Sequence, residues 1–148
     1  MRLAVRYLAV RDRTNAQVRQ YLRHKGAQPD QIEPIVARLY DLRYLDDRAY
    51  ADRWIARSLA DRPMGRERLK SELDARGVEA SVAESAIREA FGKTDEDRLA
   101  RQALDMMQRH GRRLTPMQAV RLLRQRGFDE ETIGRMMNHC FGHEGSVS

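Results

Sequence analysis

One helix is written three times in this chain. Residues 17–27 read QVRQYLRHKGA, residues 68–78 read RLKSELDARGV and residues 118–128 read QAVRLLRQRGF. Each has an apolar residue eight positions before a glycine, a leucine four before it and a basic residue just before it. The glycines, Gly26, Gly77 and Gly127, stand 51 and 50 residues apart. Repeats of this period mark stacked supersecondary units, because one such unit cannot bury its apolar face alone.

The units can be read outward from these glycines. Twelve residues upstream lie Thr14, Gly65 and Thr115. The stretches TNAQ (14–17) and TPMQ (115–118) are capping boxes, and Pro116 takes the first helical position, where a missing N–H costs nothing. Val18, Leu69 and Ala119 stack with Leu22, Leu73 and Leu123 on one helix face. The glycines suit a left-handed residue after a helix end. Lys25, Arg76 and Arg126 suit the negative end of its dipole.

Downstream of each glycine the spacing predicts a second helix. It begins near 28–30, 79–81 and 129–131, where acidic residues suit the positive end. Its apolar face takes Ile32, Ala83 and Ile133, then Leu39, Ala90 and Cys140, then Tyr40, Phe91 and Phe141. Pro34 is expected in its first turn or so, where proline is tolerated.

A third helix precedes each pair. In the middle unit it starts at Asp46 or Asp47 and carries Tyr50, Ala51, Trp54, Ile55, Ser58 and Leu59 as its stripe. In the last unit Thr94 or Asp95 is the cap, and Leu99, Ala103, Leu104, Met106 and Met107 supply the apolar residues. In the first unit it is the short LAVRYLAV.

The expected fold is all-α: an elongated array of three tandem three-helix repeats. The repeats are placed at 1–45, 46–93 and 94–142, with a frayed tail at 143–148. Strong helix formers dominate the composition, and aromatics make up only 6% of the 148 residues, which favours helices with one buried stripe.

Charge narrows the range of partners. The net charge of +6 favours polyanions. It is uneven, however: residues 1–45 carry nine basic and four acidic side chains, 46–92 nine and ten, and 93–148 ten and eight. A uniformly basic DNA-wrapping module would not leave its centre near neutral. No apolar run reaches the roughly 18 residues of a membrane span. Arg2, Arg6 and Arg11 interrupt what would be a signal-peptide core. With a single cysteine, these features favour the cytoplasm, and a monomer is expected.

No catalytic constellation is present. There is no P-loop, G-x-S-x-G, H-E-x-x-H or C-x-x-C, and the carboxylates read as solvated faces and intrahelical pairs such as Glu72 with Arg76. The stretch HCFGH spaces His139 and His143 like metal ligands. Cys140 holds a core position in the repeat, so a buried structural thiol is the expectation, with no metal and no cofactor. Met106, Met107, Met136 and Met137 read as core filling before they read as an adaptable groove. The loops RPMGRERLK (62–70) and RHGRRLT (109–115) carry arginines into the positive end of a helix, where phosphates or carboxylates could meet them.

The segment YLDDRAYADRWIARSLADRPMGRERLKSELDARGV (44–78) resembles the central motif of the RecX family of recombinase regulators. The matching positions are Asp46, Asp47, Tyr50, Ala51, Arg57, Gly65, Leu69, Leu73, Gly77 and Val78, with Arg76 in place of the usual lysine. The flanks YLAVRDRTNAQVRQYLRHKG and LTPMQAVRLLRQRGF resemble the first and third units of that family, so the likeness covers about residues 3–141. It implies a non-enzymatic protein that lodges in the groove of the RecA–DNA filament. There it would restrain ATP hydrolysis, strand exchange and co-protease activity. An array that touches several filament subunits would gain from multivalency.

The contact residues expected on this reading are Arg57, Arg62, Arg66, Arg68 and Lys70 in the middle unit, then Arg112 and Arg113. Direct contact with single- or double-stranded DNA, at low sequence preference, is compatible with it. The competing reading is a DNA-binding regulator whose helix pairs enter a major groove, with a steep salt slope.

Overall fold

The computed structural model describes residues 1–93, 95–109, 111 and 113–142. All regular structure among them is helical. Repeat 1 comprises α1 (Arg2–Val10), α2 (Asn15–His24) and α3 (Pro29–Asp41). Repeat 2 comprises α4 (Asp47–Asp61), α5 (Arg66–Ala75) and α6 (Ala80–Lys93), and repeat 3 comprises α7 (Glu96–Arg109), α8 (Pro116–Gln125) and α9 (Glu130–Phe141). The three tandem three-helix repeats anticipated from the glycine spacing are therefore present.

Local chemistry sets the helix ends. Thr14 and Thr115 each form a complete capping box with the glutamine three residues on. Asp46 caps α4 by accepting from the Ala49 N–H at 3.0 Å, and Asp129 caps α9 by accepting from the Thr132 N–H at 2.7 Å. The three middle helices end identically. Gly26, Gly77 and Gly127 have φ of 92°, 83° and 86°. The next residue's N–H closes on the carbonyl of Leu22, Leu73 or Leu123 at 3.0 Å in each case. This is the Schellman arrangement, which favours glycine at the left-handed position.

The stripes read from the sequence form the core. Val18, Leu22, Leu69, Leu73, Ala119 and Leu123 are all buried. Each leucine side chain so removed from water contributes about 1.5–3 kcal/mol. Repeat 1 closes a cluster of its own around Ala4, Val18, Leu22, Ile32, Val36, Leu39 and Leu45. Repeats 2 and 3 share a single continuous cluster that runs from Ala51 to Met136. The solvent-accessible surface is 10037 Å² for 17.2 kDa. A compact monomer of that mass exposes about 7,800 Å², so the molecule is extended.

Four expectations are corrected. Tyr40, read onto the apolar face of α3, is 41% exposed. Cys140 is exposed, not buried. Its counterpart Leu39 is covered because Leu45, on the connection to α4, joins the same cluster; burial at this repeat position therefore depends on what packs over the helix end and not on the helix stripe alone. Met106 is 38% exposed: it lies at the edge of the stripe, in the last turn of α7, beyond the buried Leu99, Ala100, Ala103 and Leu104. Pro34 lies beyond the first turn, since α3 begins at Pro29; the helix there forgoes one backbone bond. Thr94, Arg112 and His143 lie outside the described residues. His139 is exposed, and no group of three metal-ligating side chains occurs among the described residues.

Candidate partner-binding surface

The repeats are joined end to end through their middle helices. The N–H of Gly65 donates to the carbonyl of Arg126 at 2.8 Å, and the N–H of Glu67 donates to the carbonyl of Gly127 at 3.1 Å. The C-terminus of α8 thus meets the N-terminus of α5. One repeat earlier, the Thr14 hydroxyl donates to the carbonyl of Arg76 at 2.7 Å, so the C-terminus of α5 meets the N-terminus of α2. In both places the negative end of one helix faces the positive end of the next; between repeats 2 and 3 orphan backbone groups satisfy each other, whereas between repeats 1 and 2 the Thr14 hydroxyl satisfies the orphan carbonyl. The contact is close. A Cβ on Gly65 would overlap the backbone of Gly127, one on Gly127 would overlap Arg68, and one on Gly77 would overlap the Ala16 side chain.

A carboxylate from the first helix of each following repeat completes the joint. Asp47 Oδ1 accepts from the Asn15 N–H at 2.9 Å. At the equivalent place, Glu96 Oε2 lies 3.5 Å from Arg66 Nε, and the Arg66 backbone N–H favours its charged form. Burial nevertheless pushes both carboxyls above their ordinary range. Glu96 Oε1 has no hydrogen-bond partner among the described residues.

This architecture decides what the sequence-predicted cations can do. Arg57, Arg62, Arg66, Arg68, Lys70 and Arg113 are all exposed. Four of them are engaged within the molecule. Arg62 pairs with Asp61 at 3.7 Å and Lys70 with Glu84 at 2.8 Å. Arg66 spans repeats 2 and 3, with its guanidinium 5.0 Å from the Phe91 ring centre. Arg68 donates to the Gln125 carbonyl at 3.1 Å and lies 3.7 Å from Glu72. Arg57 and Arg113 have no carboxylate within ion-pair distance among the described residues. Arg112 is outside the description. The motif residues have structural places: Asp46 and Asp47 cap helices, Gly65 and Gly77 make close inter-repeat contacts, and Leu69 and Leu73 are core. Tyr50 packs against that core.

A feature missed in the sequence is a groove that changes character along the array. In repeats 1 and 2 the middle and third helices are bridged seven residues either side of the glycine, by Arg19 with Glu33 and by Lys70 with Glu84. The bridges hold the Glu33 and Glu84 carboxyls below their ordinary range, chiefly through the hydrogen bond from the cation. In repeat 3 those positions are Val120 and Gly134. The bridge is gone, and a groove of about 500 Å³ opens between α8 and α9 over Pro116, Met117, Val120, Met137 and Phe141. Counting from the three glycines would have found the substitution.

Two RecX domains match the chain: the first three-helix domain over residues 1–39 and the second over residues 46–87. The regulatory protein RecX of Chlorobaculum tepidum is 30% identical over 98% of the chain and 90% of the relative.

The chain belongs to the RecX family.

Two further relatives bear the same name, regulatory protein RecX. That of Chromohalobacter salexigens is 34% identical over 93% of the chain and 90% of the relative. That of Prosthecochloris aestuarii is 29% identical over 91% and 89%. The crystal structure of RecX from Lactobacillus salivarius superposes with a TM-score of 0.81 at 22% identity, covering 93% of this chain and 92% of that one. The fold is therefore the RecX fold, and the named relatives are regulatory proteins. No helix among the described residues is long and apolar enough to cross a membrane.

Proposed function

We propose that this protein binds the RecA–DNA filament and restrains its ATP hydrolysis, strand exchange and co-protease activities, without catalysing a reaction itself. Membership of a family of regulatory proteins, over nearly the whole chain, carries this reading. The physical design supports it. A filament repeats its subunits, and an array of repeats offers related surfaces at regular intervals, so that weak contacts add through effective concentration. The joints are made at the helix ends, by backbone groups and by side chains such as Thr14, Asp47 and Arg68.

Arg57 and Arg113 are the cations best placed for such contact, because neither must give up an internal ion pair. Arg66 and Arg68 also hold the joint between repeats 2 and 3, so reversing them would disturb binding and assembly together. Phosphates of filament DNA would meet the same arginines with little base preference.

The test is RecA's single-stranded-DNA-dependent ATPase rate as the protein is titrated in, with a gel shift on the same DNA without RecA. Inhibition below one molecule per RecA, with weak binding to bare DNA, is expected. Replacing Arg57 and Arg113 by Glu should weaken inhibition while helicity is kept. Strong duplex binding without inhibition would replace this reading with a DNA-binding regulator.

A further inference from the structure

The groove of repeat 3 differs from its counterparts in a consistent direction. Measured from the glycine, Arg66, Glu67, Lys70 and Glu84 of repeat 2 become Pro116, Met117, Val120 and Gly134 in repeat 3. Four charged side chains are replaced by three apolar ones and none. Ile87, buried in repeat 2, becomes Met137, a flexible side chain suited to adaptable contacts. The repeat 2 groove measures about 220 Å³ and is crossed by the Lys70–Glu84 bridge. The repeat 3 groove is more than twice as large, and Met117 at its edge is 77% exposed. A Cβ built on Gly134 meets nothing within 4 Å, so no close packing requires glycine there. Glycine in a helix interior lowers helix stability, and here it leaves the position that carries Glu33 and Glu84 in the other repeats without a side chain.

The rim changes as well. Ser71 and Asp74 of repeat 2 correspond to Arg121 and Arg124 of repeat 3. Both arginines line the groove. Arg124 is bridged to Glu130 at 2.8 Å in a largely exposed pair, while Arg121 has no carboxylate within ion-pair distance among the described residues. An apolar floor with a cationic rim complements one kind of ligand.

We infer that the α8–α9 groove is a docking site for an amphipathic protein segment whose apolar anchors are flanked by carboxylates. Its anchors seat on Val120, Met137 and Phe141, in the manner of a helix laid in a groove. Its carboxylates meet Arg121 and Arg124. The groove stands on the geometry alone; that the segment belongs to the filament protein rests on the function proposed above.

The decisive variant restores what repeats 1 and 2 possess: Val120→Lys with Gly134→Glu, which rebuilds the bridge across the groove. A side chain at Gly134 enters open space and Val120 is half-buried at the groove, and Gly134→Ala serves as a control that improves the helix without closing the floor. The first arm uses isotope-labelled full chain and a synthetic helical peptide with leucines at i, i+3, i+4 and i+7 and glutamates elsewhere. Resonances of Val120, Gly134, Met137 and Phe141 should shift on titration. Affinity should fall about tenfold or more in the double variant, and likewise when the peptide's glutamates are replaced by lysines. Absence of shifts in the groove, equal binding of the lysine peptide or equal binding by the double variant would overturn the site. Shifts of the same resonances on concentrating the protein without peptide would assign the groove to a second copy and overturn it as well.

The second arm measures retention of wild type and double variant on RecA assembled on single-stranded DNA. A loss of about tenfold in the variant is expected for a site that holds this partner. Undiminished retention of the variant would overturn the filament as source of the segment. If the wild type is not retained, the proposed function fails, and the peptide arm still decides the groove.

Discussion

The joint between repeats 1 and 2 and the joint between repeats 2 and 3 share one backbone plan and differ in what fills it. Between repeats 1 and 2 the contact is polar. The buried Thr14 hydroxyl reaches Arg76, Asp47 accepts from Asn15, and Arg53 lies 2.6 Å from Asp12. The apolar clusters on the two sides remain separate. Between repeats 2 and 3 the backbones of Gly65 and Gly127 touch and one apolar cluster runs through. Polar groups satisfied on both sides give orientation with modest net stability, whereas shared apolar burial gives cohesion. Repeat 1 is therefore the more separable part, and repeats 2 and 3 act as one body.

The three equivalent glycines give the sharpest break. All adopt positive φ, so alanine strains each by about 1 kcal/mol or more. Only Gly127 would also place its Cβ on backbone atoms, those of Arg68; Gly77 would meet a side chain, and Gly26 meets nothing. Urea unfolding should rank the losses Gly127→Ala, then Gly77→Ala, then Gly26→Ala, with the first at about 3 kcal/mol. Equal losses at Gly26 and Gly127 would mean that the close joint contributes nothing beyond the turn.

Next in size is a comparison of two threonines with the same capping box. Thr14 is fully buried and also donates across the joint, while Thr115 is exposed and only caps. Thr115→Ala should cost about 1 kcal/mol and Thr14→Ala about 2 kcal/mol, read from the same unfolding curves. Hydrogen exchange should show the extra loss as earlier opening of repeat 1.

The connection leaving α3 offers a gain. Arg43 has φ of 62° and closes the helix as the glycines do, with the Tyr44 N–H on the Leu39 carbonyl at 2.8 Å. Arg43→Gly should remove a strain of about 1 kcal/mol, less what glycine loses in chain entropy, and raise the melting temperature slightly.

The smallest effect is in pH. Asp47 and Glu96 have folded pKa values raised by burial. Their contribution is greatest below the ordinary carboxyl pKa, about 4, and is lost as pH rises through the raised values, because the folded state holds the proton longer. Asp47→Asn and Glu96→Gln keep a neutral acceptor. Each should therefore gain stability relative to wild type as pH climbs through that window, seen in melting curves from pH 4 to pH 7. A variant that loses ground over that range would show that the charged form is the one the joint favours.

Much of the fold was legible without coordinates. The glycines, the threonine boxes and Asp46 fix helix ends by chemistry that lies within a few residues along the chain, and the apolar spacing fixes each buried face. The candidate surface was only half legible. Arg66 and Lys70 looked like free cations because their partners, Glu96 and Glu84, lie on other helices. Cys140 looked buried because its repeat position carries the apolar Leu39 and Ala90 elsewhere, but burial depends on what packs above a residue. The loss of the Arg19–Glu33 type of bridge at Val120 and Gly134 was present in the sequence, yet it had meaning only once the bridge was seen. The sequence by itself determined what local rules control: where each helix begins and ends, its buried stripe and the tandem order. Tertiary structure alone decided which end meets which, which charges are cancelled and where an apolar groove lies open, because those depend on groups on different helices, 14 to 62 residues apart, brought within a few ångströms.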